Sequence, residues 1–336
     1  MKPQAPPVTT NTKGEARRVG VEIEFAGIEP HGAAELVAEH FAGRIENLSP
    51  HRLKVVDTRW GDFTIELDAQ YAHPDSQIIA HEQPLEEDDA KARQRHHERI
   101  ERHLRTRELI GDMVSGLVPT EIVCPPMPWD TLGELDNLFA SLRNHGAKGT
   151  EDSLLYGFGL HLNPEVPSLE VKSVLAHLRA YLLLAASLRK QIDIDITREM
   201  LPHANPFPRT YALKLLDPRY APDLDTLIKD YLLDNPTRNR ELDMLPLFAF
   251  LRPEYPSELL RDVLIKPRPT FHYRLPNARL SAPDWNATVE WNRWVQVERL
   301  AADTKRLDQR TRAYFKEQQR SFIQRWRNRL RQWMHR

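Results

Sequence analysis

The sequence predicts an α+β fold, a mostly antiparallel sheet backed by helices. Three observations carry this. Short stretches alternate apolar and polar residues, as strands with one buried face do. Longer stretches between them repeat apolar residues at helical spacing. The polar rows of the alternating stretches hold Glu, His, Asn and Arg, whereas a face that merely meets water mixes Lys, Thr, Ser and Glu freely.

The organising stretch is 18–27, Arg-Val-Gly-Val-Glu-Ile-Glu-Phe-Ala-Gly. As a strand it turns Val21, Ile23 and Phe25 to one side and Gly20, Glu22, Glu24 and Ala26 to the other. Its two carboxylates then stand about 7 Å apart on one face. Adjacent like charges repel, and a divalent cation gives them a reason to be there. Pairing with Arg17, Arg18 or a neighbouring strand's Lys is the bland alternative.

Gly32 to Phe41 reads as a short helix. Strands are predicted over 52–58 and 62–69, the second placing Thr64, Glu66 and Asp68 opposite Phe63, Ile65 and Leu67. Residues 85–110, acidic first and basic later, read as a solvated helix. Its His96, His97 and His103 belong to that solvated face. A strand over 118–124 carries Glu121 and stops at Pro125-Pro126. A helix spans 129–144. The stretch 156–163 alternates Tyr156, Phe158, Leu160 and Leu162 with Gly157, Gly159, His161 and Asn163, and glycines inside a strand mark close approach. A long apolar helix runs from Ser168, its candidate cap, to Lys190. Further helices are expected over 223–233 and 242–251. A last strand, 270–275, carries His272 and Arg274, and a helix covers 283–302.

The 336 residues suffice for one large domain or two small ones. Residues 1–16 are read as a disordered arm, 17–302 as the catalytic domain and 303–336 as a basic amphipathic helix. That last segment has 11 Lys+Arg against 3 Asp+Glu, so the mildly acidic body carries a basic tail. A single Cys124 excludes an intrachain disulfide and a Cys-based zinc site, and fits a reducing compartment. Cys124 itself reads as a small buried residue. With no apolar leader, and a longest apolar stretch of Ala180 to Leu188, the expectation is a cytoplasmic protein. No nucleic-acid-binding module is recognisable.

Five blocks recur in order: 20–25 (Gly-Val-Glu-Ile-Glu-Phe), 119–126 (Pro-Thr-Glu-Ile-Val-Cys-Pro-Pro), 159–163 (Gly-Leu-His-Leu-Asn), the 235–248 block, and 273–277 (Tyr-Arg-Leu-Pro-Asn). The set resembles the amidoligase family, relatives of the glutamine synthetase and glutamate–cysteine ligase fold. The resemblance runs from about Arg18 to about Ala302. It implies a curved sheet whose concave face holds ATP and Mg²⁺, with the helices on the convex side. It also implies an ATP-dependent carboxylate–amine ligase forming an amide or isopeptide bond through an acyl phosphate. By the resemblance Glu22, Glu24 and Glu121 are metal ligands, with Glu66 a second choice. His161 and Arg274 are catalytic, and Arg274, Asn163 and Gly159 bind the nucleotide. One departure stands out: the wider fold has an acid two positions before the late-strand Arg, and here His272 occupies it. Two other readings stay open. One is a phosphotransferase on the same metal site. The other is a non-catalytic scaffold whose basic C-terminal helix binds a partner or membrane surface. For an enzyme, the substrates are a small-molecule or peptide amine and carboxylate.

Overall fold

A computed structural model describes residues 1–49, 51–67, 118–153, 156–194 and 204–318. Asp68, the 85–110 segment and the aromatic residues of 319–336 lie outside the described residues.

The architecture is α+β, an open, mostly antiparallel nine-stranded sheet with helices. In chain order the described elements are β1 (Arg18–Phe25), α1 (Pro30–Phe41), β2 (Arg44–Ser49), β3 (Arg52–Val56), β4 (Phe63–Leu67), β5 (Thr120–Val123), β6 (Met127–Pro128), α2 (Gly133–Asn144) and β7 (Leu160–Pro164). Then come α3 (Val171–Ile192), α4 (Arg209–Leu215), α5 (Leu224–Asp234), β8 (Leu242–Asp243), α6 (Leu245–Leu251), β9 (His272–Tyr273), α7 (Ala287–Ala302) and a helix over 304–318, α8. The spatial order is β2-β3-β4-β5-β1-β7-β9-β8, with β6 beside the start of β1. The strand with the paired carboxylates is thus central, bracketed by β5 and β7.

Register decides which residues share a face. Glu24 lies opposite Glu121, and Glu22 opposite His161 and Val123. Gly20 faces Asn163, Glu66 faces Glu121, and Leu162 faces Tyr273. The apolar partners fall on the other side: Val21, Ile23, Phe25, Ile65, Ile122, Leu160 and Leu162 are all fully buried. Helices cover that apolar side. Phe41 of α1 stacks on Phe63 at 4.7 Å. Trp294 of α7 packs on Phe271 at 5.4 Å and on Tyr273 at 5.3 Å. The 22 residues of α3 are long and apolar enough to cross a bilayer, more than the short apolar run suggested. Yet Val174, Leu178, Tyr181 and Leu188 are buried in the core, so α3 is a core helix here.

Several expectations change in detail. β2 was absent from the sequence reading. Its residues Arg44-Ile-Glu-Asn-Leu-Ser are mostly exposed, so no apolar row marks it. The expected helix over 242–251 splits. Leu242–Asp243 is a strand paired to β9, and only Leu245–Leu251 is helical, with Asp243 Oδ1 accepting from the Leu245 amide. The strand over 270–275 shrinks to His272–Tyr273. Residues 1–16, expected as a disordered arm, are tied to the body. The Gln4 amide donates to Asn292 Oδ1 at 2.7 Å, and Trp291 Nε1 donates to the Gln4 carbonyl at 2.9 Å. Composition alone hid these partners, which lie almost 300 positions away.

Candidate active site

The polar face of the sheet is the floor of an open cavity of about 1040 Å³. Glu22, Glu24, Glu66, Glu121, His161, Asn163 and Arg274 all line it. Six come from four neighbouring strands, because antiparallel pairing in the register above stacks their outward positions. Gly159 is not among the lining residues. Its amide donates to Glu24 Oε2 at 2.8 Å, so it holds that carboxylate in place.

Glu22 is the most heavily engaged carboxylate. Its Oε1 accepts from Asn163 Nδ2 at 2.9 Å. Its Oε2 lies 3.1 Å from His161 Nδ1 and 3.7 Å from His272 Nε2. Asn163 Oδ1 in turn accepts two bonds from Arg268, at 3.1 and 2.7 Å. Gly20 opens room for this, since a Cβ there would stand 3.3 Å from Asn163 Cβ. Burial alone would raise Glu22. The hydrogen bond with His161 and the closeness of the His272 ring outweigh it, and hold the carboxyl well below its ordinary range. For His161 burial dominates and pushes it down to about 3 against the pull of Glu22, so the ring is neutral near pH 7.

Toward β5 the site becomes acidic. Glu24, Glu121 and His161 each offer a ligand atom within 4.8 Å of the others. Glu24 and His161 are buried. This donor set, two carboxylates and a neutral imidazole, fits a divalent cation. Glu66 belongs to neither cluster of candidate ligands. Its carboxylate pairs with Arg52 Nε at 2.8 Å, beside Glu121 in register. Arg274 Nη1 donates to the Arg238 carbonyl at 3.4 Å, and both residues line the cavity. Arg18, Lys266 and Arg268 add positive charge on the same walls. Cys124 is buried, and burial together with Glu22 and Glu121 pushes its thiol far up, so it is no nucleophile.

Comparison with known proteins agrees with this geometry. The family model described as "putative amidoligase enzyme" matches residues 15–296. The chain belongs to the amidoligase family. It is therefore a ligase-type enzyme. Searches of curated proteins and of solved structures return no match.

Some of this amidoligase site was missed in the sequence. His272 alternates correctly onto the polar face, but read as a lost acid its closeness to Glu22 and His161 was not seen. Arg268 sits in Lys-Pro-Arg-Pro, a stretch without periodicity, and nothing local marks it. Asp243 lay inside what read as a helix. Its pairing of β8 to β9 brings it to His272.

Proposed function

We propose that this amidoligase joins a carboxylate to an amine with ATP and Mg²⁺. The substrate carboxylate attacks the γ-phosphorus of ATP, and ADP leaves. The amine nitrogen then attacks the acyl carbon of the resulting acyl phosphate, and phosphate leaves with the release of one proton. The observation that carries this reading is the convergence of Glu24, Glu121, His161 and Arg274 in one cavity of an amidoligase-family chain.

In this reading Glu24 and Glu121, with Glu22 beside them, hold Mg²⁺. The ion when bound neutralises phosphate oxygens. Gly159 keeps Glu24 aimed through its amide. Arg274 clamps the charge that spreads over the transferred phosphoryl group, or the substrate carboxylate itself. His161 and Asn163 line the nucleotide or acyl-phosphate pocket. Arg268, through its two bonds to Asn163, fixes which way that amide points. Glu66, tied to Arg52, borders the acidic end. We further propose a cytoplasmic enzyme that acts on small-molecule or peptide substrates and not on nucleic acid. Its basic segment 303–336 would meet a partner protein or an anionic membrane surface.

The test is ADP release on mixing the full chain with ATP, Mg²⁺ and a library of amino acids and peptides. Substrate-dependent ADP release, abolished by Glu24→Gln, is expected. A wild-type chain that binds no nucleotide in the presence of Mg²⁺ overturns the proposal. Hydroxylamine separates the acyl-phosphate route from transfer to a hydroxyl group, because only an acyl phosphate yields a hydroxamate.

A further inference from the structure

We infer that the turn at Val263 and Leu264, with Phe250 and Leu169, forms a subsite for an aliphatic side chain, and that the carboxylate substrate is a peptide carrying such a side chain beside its reacting group. This rests on the ligase reading for its chemistry, although none of the four residues holds metal or phosphate in that reading.

Exposure singles out this wall. Eight large apolar side chains are exposed among the described residues, and four of them, Leu169, Phe250, Val263 and Leu264, line the cavity described above. Exposed apolar residues scattered singly are ordinary, but a cluster at a cavity marks a binding surface. Val263 is the extreme case, 87% exposed. Looseness does not explain it. Leu260 and Ile265 on either side of the turn are buried. Between them the Ile265 amide donates to the Asp262 carbonyl at 2.9 Å, and the Leu264 amide donates to Asp262 Oδ1 at 2.8 Å. The turn is pinned at both ends and leaves its two aliphatic residues uncovered.

Three segments meet in the wall. The Arg268 amide donates to the Pro246 carbonyl at 3.1 Å, which ties the chain after the turn to α6 and so to Phe250. The Val166 amide donates to the Pro269 carbonyl at 2.9 Å, which ties it to the stretch running from β7 past Leu169 into α3. The Arg268 side chain also donates to Asn163 on the floor. The apolar residues are thus fixed relative to the polar floor. They can hold one part of a ligand while the floor holds another.

Chemistry chooses the occupant. The carboxylates of Glu24, Glu66 and Glu121 lie toward β4 and β5, whereas the apolar turn is followed by Lys266 and Arg268 on the cavity wall. An apolar, anionic ligand complements this side, and an amine does not. A single polar amino acid would leave the four apolar side chains wet. A hydrocarbon chain needs an unbroken apolar lining, which Lys266 and Arg268 interrupt. A peptide alternates apolar side chains with polar main chain, and so matches both. The cavity, about 1040 Å³, reaches the top of the range for single-ligand pockets, about 1,000 Å³, which leaves space for a peptide segment beside a nucleotide.

The experiment is calorimetric titration of the full chain, with and without a non-hydrolysable ATP analogue and Mg²⁺. The probes are matched tripeptides that place Leu or Ser before a C-terminal Glu. The Leu peptide should bind about 10-fold or more tightly than the Ser peptide, the difference expected for covering one aliphatic side chain. In the double variant Val263→Ser, Leu264→Ser that preference should fall below about 3-fold. Phe250→Ser, at a separate point of the wall, should shrink the same preference. Lys266→Glu should weaken both peptides and keep their ratio. Circular dichroism shows which variants fold, and the wild-type comparison of the two peptides stands even if one does not. Equal binding of the two peptides by wild type, or a Leu preference untouched in the folded variants, overturns the inference. So does flotation of wild type on anionic phospholipid vesicles without any peptide preference. Nucleotide binding without peptide binding removes this subsite and leaves the ligase reading standing; a Leu preference without nucleotide binding does the reverse.

Discussion

At the scale of single residues, Glu22 and His161 link the site to acid stability. His161 is buried and neutral, with its pKa lowered from an ordinary 6.5 to about 3. Between those values the unfolded chain binds a proton that the folded chain refuses, so stability falls as pH falls. His177, also depressed by burial, acts in the same direction. Glu22 is depressed too. It contributes stability above the ordinary carboxylate range, and that contribution is lost as pH drops through its folded value. Metal-free protein should therefore lose urea resistance steadily below about pH 6.5. His161→Gln should flatten that decline but leave the His177 part. An unchanged profile in His161→Gln contradicts the burial argument. Most of the floor was legible at this scale, because period-two alternation alone put Glu22, Glu24, Glu66, Glu121, His161, Asn163, His272 and Arg274 on one face. What alternation could not say is which of them touch. Glu66 turns to Arg52, whereas Glu22 gathers Asn163 and two imidazoles.

At the scale of elements, the residue that leads into β1 and α7 are locked together. Arg17, 1% exposed, makes a two-pronged pair with Glu298, both bonds 2.7 Å, and Trp294 Nε1 donates to the same carboxylate. Removing one partner leaves a buried charge uncompensated, which typically costs about 3–5 kcal/mol. Glu298→Ala should lower stability by about that much in urea unfolding. A loss near that of an exposed pair, under about 1 kcal/mol, would place the pair in solvent. Gly149 offers a second test. A Cβ there would come 2.2 Å from the Ala278 carbonyl oxygen, so the turn after α2 must shift. Gly149→Ala should destabilise the protein, read as a lower melting temperature. The sequence hid such features for one reason: their partners are far off in the chain. Arg17 and Gly149 looked like a bland charge partner for Glu22 or Glu24 and a loop glycine. Long periodic elements such as β1, α1, α3 and α7 were readable because their faces declare themselves locally. The short β8 and β9 exist only by pairing with each other and with β7.

At the scale of the whole molecule, an open antiparallel sheet buries one face under helices and keeps the other for chemistry. Rigid strands set the spacing of the carboxylates, and irregular segments bring Arg238, Lys266 and Arg268 to the walls. The α8 segment returns to the body through buried Leu307 and Thr311, so the start of the basic tail is part of the packed structure. The central claim is that this face is one nucleotide site. Calorimetric titration of the full chain with a non-hydrolysable ATP analogue tests it most directly. The account predicts binding that requires Mg²⁺ and disappears in folded Glu24→Gln; no heat of binding from wild type with Mg²⁺ present would contradict it.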